Sequence, residues 1–387
     1  MRRAAASLFV VALVVANGAL VVASCSSFDE EPTDGGVSAE AAGEAEGGDA
    51  TVALDGSNPP AITCVEGTTK PPAGLAVQQL FAPQSEGYPF GLSTDATHVI
   101  WIVQSPGDAA FDPIGGNGNA RVLRVPKTGA TTAQELARDQ PGAVAVQVDE
   151  GFAYWTTWDG ATAQMYRVTT VCSAGCPAPE PVVTFPAGNR VVKLLRFAPG
   201  VLVAQGESGA VFFVRPKEAP VRILTTGTFP GLAATSAHLY ASSELVNATV
   251  QRSTVAASPV IEPNYLSVPP PDGGQMGVGR LAADCTRLWM TQYFYNGKVN
   301  VYTHDFARPG SFEFVLQSDS IVNDVVADAT YGYAALAGAG VIVIDPKAKK
   351  SYPVRSGDVG RLAIDADGVY FGERGDAQRG TIFMVRK

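Results

Sequence analysis

The chain has 387 residues, of which 46% are hydrophobic, with 28 Lys and Arg, 37 Asp and Glu, 41 Gly, 27 Pro and 5 Cys. That length and apolar content exclude a wholly disordered chain and allow one large all-β domain or two ordinary ones. The formal net charge of −9 is concentrated: residues 26–60 hold nine acids and no Lys or Arg, which leaves 28 acids against 28 bases elsewhere. No basic stripe of the kind that nucleic acid binding needs is visible.

Met1-Arg2-Arg3 is a short cationic start, and Ala4 to Val22 then runs without a charge. Such a run is near the lower limit for spanning a bilayer, so an uncleaved membrane anchor and a plain secretory signal are both open readings. Val22-Ala23-Ser24-Cys25 resembles a bacterial lipobox, in which small residues fit the signal peptidase and a thiol at the cleavage point accepts the lipid. The resemblance implies that residues 1–24 are a lipoprotein signal peptide and that Cys25 is lipidated, its acyl chains anchoring the protein in the membrane. Ser26, where many such lipoproteins retained at the inner membrane carry Asp, implies the outer membrane of the cell envelope. Residues 25–62 continue as a Gly-, Ala- and acid-rich segment almost without large apolar groups. Burial cannot offset its ordering entropy, so a flexible, self-repelling tether is expected.

From about residue 75 onward no long segment has a helical period; short β-branched and aromatic runs are broken by Gly, Pro, Asp and Asn. One unit recurs: an apolar strand, a tight turn often opened by Asp, an aromatic strand, a loop and further strands. It opens at Leu92, Val146, Leu232, Leu281, Val325 and Leu362, with turn slots at Asp95, Asp149, Thr235, Asp284, Asp328 and Asp365; a degenerate copy without Asp begins at Leu194. Six steps cover the 270 residues from Asp95 to Asp365, or about 45 per step, the length of a four-stranded propeller blade. Asp suits the first position of a type I turn because its side chain bonds the backbone two residues on, so the slot is structural. The expected fold is an all-β, seven-bladed β-propeller over residues 63–387, with six blades as the alternative if the weak third unit shares a blade with a neighbour. The last unit offers only three strands, and the run 75–82 has no partner before the first unit. This N-terminal strand is expected to complete the last blade and remove an open edge.

Tyr154-Trp155-Thr156-Thr157-Trp158-Asp159-Gly160 resembles the YWTD propeller repeat, and Arg121 to Gly129 resembles the hairpin that follows it. The likeness is good in the first two units and thin elsewhere. It is similar to what is found in lipoproteins of myxobacteria and their relatives; it implies a fold and carries over no catalytic residue.

With Cys25 assigned to lipid, Cys64, Cys172, Cys176 and Cys285 remain, an even number in an exported protein. Two disulfides are expected, Cys172–Cys176 closing a small loop and Cys64–Cys285 pinning the segment that enters the propeller. Zinc is the rival reading, but a structural site needs four ligands and no second close Cys/His pair appears. No metal and no cofactor is expected. His98 and His238 share one slot in their units, and His304 lies on a third strand beside Asp305; no GxSxG or HExxH accompanies them. Gly277-Val278-Gly279 and Gly338-Ala339-Gly340 read as β turns, because each leads into a strand where a phosphate cradle needs a helix. Asp365-Ala366-Asp367-Gly368 looks like part of a calcium loop but sits in the turn slot and lacks the distal Glu.

The candidate binding face lies on the loops between second and third strands: the glycine-rich stretch 104–120 with Asp112, the aromatic Trp158, and the cluster Tyr293, Phe294 and Tyr295. Aromatic rings at loop tips often mark contact surfaces; the rival reading is packing over neighbouring blades. These features together point to a monomeric, membrane-anchored propeller acting as a binding or scaffold module for protein or carbohydrate partners. The alternative is a metal-assisted extracytoplasmic hydrolase, lactonase or lyase, which would gather carboxylates and amides in the central channel.

Overall fold

The computed structural model describes residues 65–68, 70–82, 87–104, 119–172, 175–198, 201–206, 208–225, 231–242, 249–254, 259–268, 275–294, 297–375 and 380–387. The lipobox with Cys25, the acidic tether, Cys64, Asp112 and Tyr295 lie outside these residues. Apart from a short 3-10 turn at Pro72–Gly74, every helix or strand among them is a β-strand. No helix among the described residues is long and apolar enough to cross a membrane.

These strands form seven four-stranded sheets among the described residues. The first holds Pro89–Thr94, His98–Gln104, Asn119–Pro126 and Gln134–Pro141; the second Val146–Asp149, Phe152–Trp158, Ala163–Thr169 and Glu180–Thr184. Val191–Ala198, Val201–Gly206, Ala210–Val214 and Val221–Thr225 form the third, so the degenerate unit has a sheet of its own. The fourth is Leu232–Ala234, His238–Ser242, Thr249–Thr254 and Ile261–Ser267; the fifth Gln275–Ala283, Arg287–Phe294, Val299–Asp305 and Glu313–Ser318. The sixth is Val322–Ala327, Gly332–Leu336, Gly340–Asp345 and Lys350–Arg355. Asp358–Ile364, Gly368–Arg374 and Gly380–Arg386 make the seventh, and its outer strand comes from the other end of the domain. There Ala76–Phe81 pairs antiparallel with Gly380–Arg386, from Ala76 opposite Arg386 to Phe81 opposite Ile382. The first strand of each sheet packs against the first strand of the next, and the seventh against the first, which makes the fold a β-propeller around a central channel.

The repeated turn has a physical basis. Oδ1 of Asp284 accepts the N–H groups of Thr286 (2.6 Å) and Arg287 (2.9 Å), and that of Asp328 accepts those of Thr330 (2.8 Å) and Tyr331 (2.9 Å). Asp95 and Asp365 do the same in their sheets. The same carboxylates also accept from a ring donor on the second strand: Trp289 Nε1 to Asp284 at 3.1 Å, Tyr333 hydroxyl to Asp328 at 3.0 Å, Tyr370 hydroxyl to Asp365 at 3.2 Å. One side chain thus ties a turn to the buried aromatic that fills the gap between sheets. In the third sheet the slot holds Phe197, 1% exposed, which fills space in the core where Asp95, Thr235, Asp284, Asp328 and Asp365 bond a turn.

Closure is also apolar. Leu80 and Phe81 of the N-terminal strand are buried in a cluster with Val99, Trp101, Tyr370, Ile382 and Met384, and the Phe81 ring lies 5.5 Å from that of Trp101. At the end of the propeller that carries the Asp turns, Lys387 Nζ reaches Asp328 Oδ2 (3.2 Å) and the carbonyls of Asp365 (2.8 Å) and Glu66 (3.5 Å). Ala329 N–H donates to the Val65 carbonyl, and Gly67 leaves room for Thr330, where a Cβ would lie 2.0 Å from the hydroxyl.

Cys172 and Cys176 form a disulfide. Its loop is held to the first sheet: the Cys172 carbonyl accepts from Arg124 Nη2 (2.8 Å) and Gln134 Nε2 (3.2 Å). Gly175, with φ 125, supplies the backbone freedom for the closure. Cys285 is disulfide-bonded as well.

One sequence expectation needs correction. Gly277-Val278-Gly279 is not a turn but lies inside the strand Gln275–Ala283. Gly279 is required there by packing, since a Cβ would come within 1.8 Å of the Tyr293 ring.

Candidate functional site

The first strands of all seven sheets line a central cavity of about 740 Å³. That volume lies in the range of small-molecule sites. Each of these strands carries the apolar residue that opens its repeat, Leu92, Val146, Leu194, Leu232, Leu281, Val325 or Leu362, which the pairing with the second strand places at one level. The residue immediately before it therefore occupies an equivalent position around the channel. Going round, those residues are Gly91, Ala145, Lys193, Gly231, Arg280, Asp324 and Arg361.

The three small residues have a steric reason in two cases. A Cβ on Gly231 would lie 2.0 Å from the Gly279 carbonyl oxygen, and one on Gly91 would lie 2.9 Å from the Val144 carbonyl oxygen. In the fourth sheet Ser242 does the bridging: its hydroxyl accepts from Gly231 N–H at 3.0 Å and donates to the Gly279 carbonyl at 2.9 Å.

The charged residues sit where the ladder slips. Register shifts fall at Val191/Lys193, Val278/Leu281, Val322/Asp324 and Val359/Leu362. A bulge bends its strand and re-aims a side chain, which is how a position adjoining the packed core comes to serve the channel. Lys193 Nζ donates to the Leu232 carbonyl of the next sheet at 3.0 Å. Asp324 follows the same geometry, its Oδ2 accepting from Leu362 N–H at 3.0 Å while Oδ1 accepts from Val325 N–H at 3.1 Å. Burial pulls the Lys193 ammonium down to about 8; Asp324 works against this, and Arg361 and Arg280 add to it. At that level Lys193 thus stands within electrostatic reach of Asp324, Arg361 and Arg280.

Nearer the turns between first and second strands the charges are paired. Arg196 lies 2.5 Å from Asp149, and Lys127 Nζ lies 2.6 Å from Asp365 Oδ2 and 3.0 Å from Asp367 Oδ2. Lys127 therefore stands where the calcium reading of Asp365 and Asp367 would put a cation. Among the described residues no group of three or more His, Cys, Asp or Glu could hold a metal ion.

The histidines are committed elsewhere. His304 is buried, its Nδ1 against the Ser311 carbonyl and its Nε2 2.9 Å from the Tyr265 hydroxyl. A carbonyl can only accept, so Nδ1 carries the proton and Nε2 accepts from the tyrosine. His98 stands beside Thr97 (2.7 Å) in its turn, and its basicity is lowered by burial; His238 packs against Tyr240, whose hydroxyl is pushed up to about 12 by burial.

Of the aromatic candidates, Trp158 is half-buried against the core between the second and third sheets. Tyr293 packs across to the sixth sheet, its hydroxyl donating to the Val322 carbonyl at 2.6 Å. Phe294 ends its strand, part-exposed. Asp112 and Tyr295 lie outside the described residues. The ring of Lys193, Arg280, Asp324 and Arg361 is absent from the sequence reading; aligning the residue before each repeat's opening apolar position would have exposed it.

No protein-family model matches the chain, and no curated protein matches it. Solved structures share its fold at low identity. "YCF48 bound to D1 peptide" is 10% identical with a TM-score of 0.55, covering 84% of this chain and 99% of that one. The WD40 domain of coronin from Toxoplasma gondii is 11% identical with a TM-score of 0.52, covering 83% and 88%. A chain of the mitotic checkpoint complex is 14% identical with a TM-score of 0.53, covering 83% and 97%. At these identities the likeness shows a β-propeller with WD40-like neighbours and nothing finer.

Proposed function

We propose that this chain is a seven-bladed propeller lipoprotein of the cell envelope, anchored through Cys25, that works as a binding or scaffold module for a protein or carbohydrate partner. The observation that carries the reading is the charged level of the channel. A metal-assisted hydrolase would bring carboxylates and amides together there. This chain brings together Lys193, Arg280 and Arg361, and the Asp324 oxygens accept backbone N–H groups. A walled channel of about 740 Å³ is suited to holding a ligand, and the described histidines are tied into turns and core. Solved neighbours in complexes, one of them bound to a peptide, show other proteins using this fold for such work. Trp158, Phe294 and Tyr295 remain the proposed contact points on the loop face.

The test sets binding against turnover. The purified chain is equilibrated with Ca²⁺, Zn²⁺ and Mn²⁺, desalted and analysed for metal, with lactone and ester hydrolysis measured beside it. The reading expects far less than one metal per chain and no turnover above background. Stoichiometric metal with hydrolysis that a chelator abolishes would overturn it.

A further inference from the structure

Lys193 is the one lysine among the described residues that line the central cavity. Its strand, Val191–Ala198, slips register between Val191 and Lys193, and a bulge of this kind takes a side chain out of simple alternation, here toward the channel. Lys193 is part-exposed in the cavity wall, which gives a molecule in the channel access to it. Among the described residues its Nζ has a neutral hydrogen-bond partner, the Leu232 carbonyl of the next sheet at 3.0 Å. Lys127, Lys349 and Lys387 are instead held by carboxylates, and Lys347 and Lys350 stand exposed at an outer hairpin. A carboxylate holds a lysine as ammonium. A carbonyl is served equally by a neutral amine, which donates one N–H to it and keeps its lone pair on another side of the nitrogen.

We propose that Lys193 is a covalent acceptor for a short aldehyde that enters the channel. The nitrogen lone pair forms a C–N bond at the carbonyl carbon while the C=O pair moves to oxygen. One amine proton passes to that oxygen and gives a carbinolamine. Its hydroxyl then leaves as water, taking a proton from solvent, as nitrogen closes the C=N bond; the second amine proton returns to solvent. The sum is amine plus aldehyde to imine plus water, with no oxidant or reductant. The cavity of about 740 Å³ admits a short chain, and its wall mixes Ser93 and Gln147 with Leu195 and Val326, so alkyl and hydroxylated bodies both fit. The site goes beyond the binding role on the loop face and is independent of it.

The charged surroundings set how much free amine is present. Burial lowers the Lys193 ammonium to about 8; Asp324 of the sixth sheet opposes this, and Arg361 and Arg280 of the seventh and fifth sheets add to it. On its own strand Arg196 is paired with Asp149, and Asp365, paired with Lys127, and Glu66 are the other charged groups of the described cavity wall. At pH 7 about a tenth of Lys193 is then neutral, against roughly three in ten thousand for a lysine at its ordinary value. The advantage of Lys193 over exposed lysines is therefore largest below about 8 and shrinks as the pH rises toward 10.5, where they lose their proton too.

The test incubates the full chain with butanal and sodium cyanoborohydride at pH 7 and 10 and locates the reduced adduct by peptide mass mapping. At pH 7 Lys193 should carry at least tenfold more adduct than Lys347 or Lys350, and at pH 10 that preference should fall at least fivefold. Comparing lysines within one sample cancels the pH dependence of the reduction itself. Lys193→Arg, which keeps a cation at the Leu232 carbonyl but forms no imine, should lose the dominant adduct and leave the others unchanged. Adduct spread evenly over the chain's nine lysines at pH 7, or concentrated on another of them, would overturn the proposal. So would a preference for Lys193 that is the same at both pH values. Should Lys193→Arg fail to fold, the wild-type map at the two pH values decides alone.

Discussion

Replacing Asp328 by Ala removes four interactions at once. Oδ1 accepts the N–H groups of Thr330 and Tyr331 at 2.8 and 2.9 Å, and Oδ2 accepts the Tyr333 hydroxyl at 3.0 Å and pairs with Lys387 at 3.2 Å. The two charged side chains are 0% and 6% exposed, and Tyr333 is wholly buried. Losing the turn bonds costs about 1 kcal/mol, stranding the tyrosine hydroxyl ~1–3 kcal/mol, and leaving Lys387 buried without its partner ~3–5 kcal/mol. Because neighbouring losses do not add in full, the expected total is about 4–6 kcal/mol. Asp345→Ala is the matched control: Asp345 caps an exposed turn through Lys347 and Ala348 N–H groups, both at 2.9 Å, and its effect on the buried Tyr331 is one of charge. Its expected cost is about 1 kcal/mol. Burial already lowers the Lys387 ammonium below its ordinary 10.5, and loss of Asp328 lowers it further. A folded-state value below the unfolded one means that the penalty is full at neutral pH and fades as the pH rises toward 10.5, so the Asp328→Ala deficit should shrink in alkali. Urea unfolding of both variants at pH 7 and 9.5 measures this. Equal losses in the two variants, or a deficit that grows with pH, would refute the argument that burial and not turn chemistry makes the slot costly.

Phe81→Ala opens the closure between the N-terminal strand and the first sheet, and should cost ~3–5 kcal/mol by denaturant unfolding; a loss under about 1 kcal/mol would mean that the strand contributes little to the ring. Joint replacement of Cys172 and Cys176 by Ser should cost about 2 kcal/mol, as expected for so short a closed loop, with raised hydrogen exchange confined to the loop and the strand Gln134–Pro141 that it rests on. Lys193→Met should flatten the pH dependence of stability: the wild-type ammonium, down at about 8 from 10.5, makes the folded state gain stability as the pH rises between those values, and the variant has no such gain. Parallel pH slopes for the two chains would refute the buried-cation assignment.

The repeat was legible because Asp in the turn slot and an aromatic five residues on are joined by one hydrogen bond, so Asp284 with Trp289, Asp328 with Tyr333 and Asp365 with Tyr370 leave a fixed spacing in the chain. The Cys172–Cys176 closure was legible for a similar local reason, two thiols flanking a glycine. The channel was not legible. Its register position holds Gly, Ala, Lys, Arg and Asp in different sheets, and bulges move it out of simple alternation, so no pattern of period two marks it. Tyr293 reads as a loop-tip ring because its neighbours are aromatic and polar. Its hydroxyl bond to Val322 depends on the space over Gly279, a contact between different strands that spacing along the chain does not show.

The binding role is tested most directly by in-cell crosslinking of the tagged, full-length chain beside a variant with Trp158, Phe294 and Tyr295 changed to Ala, followed by identification of what copurifies. The account predicts a partner enriched with the wild-type chain and lost from the variant while the variant keeps its folded circular dichroism spectrum. A chain that captures nothing above background, or captures the same partner equally well without those rings, would contradict it.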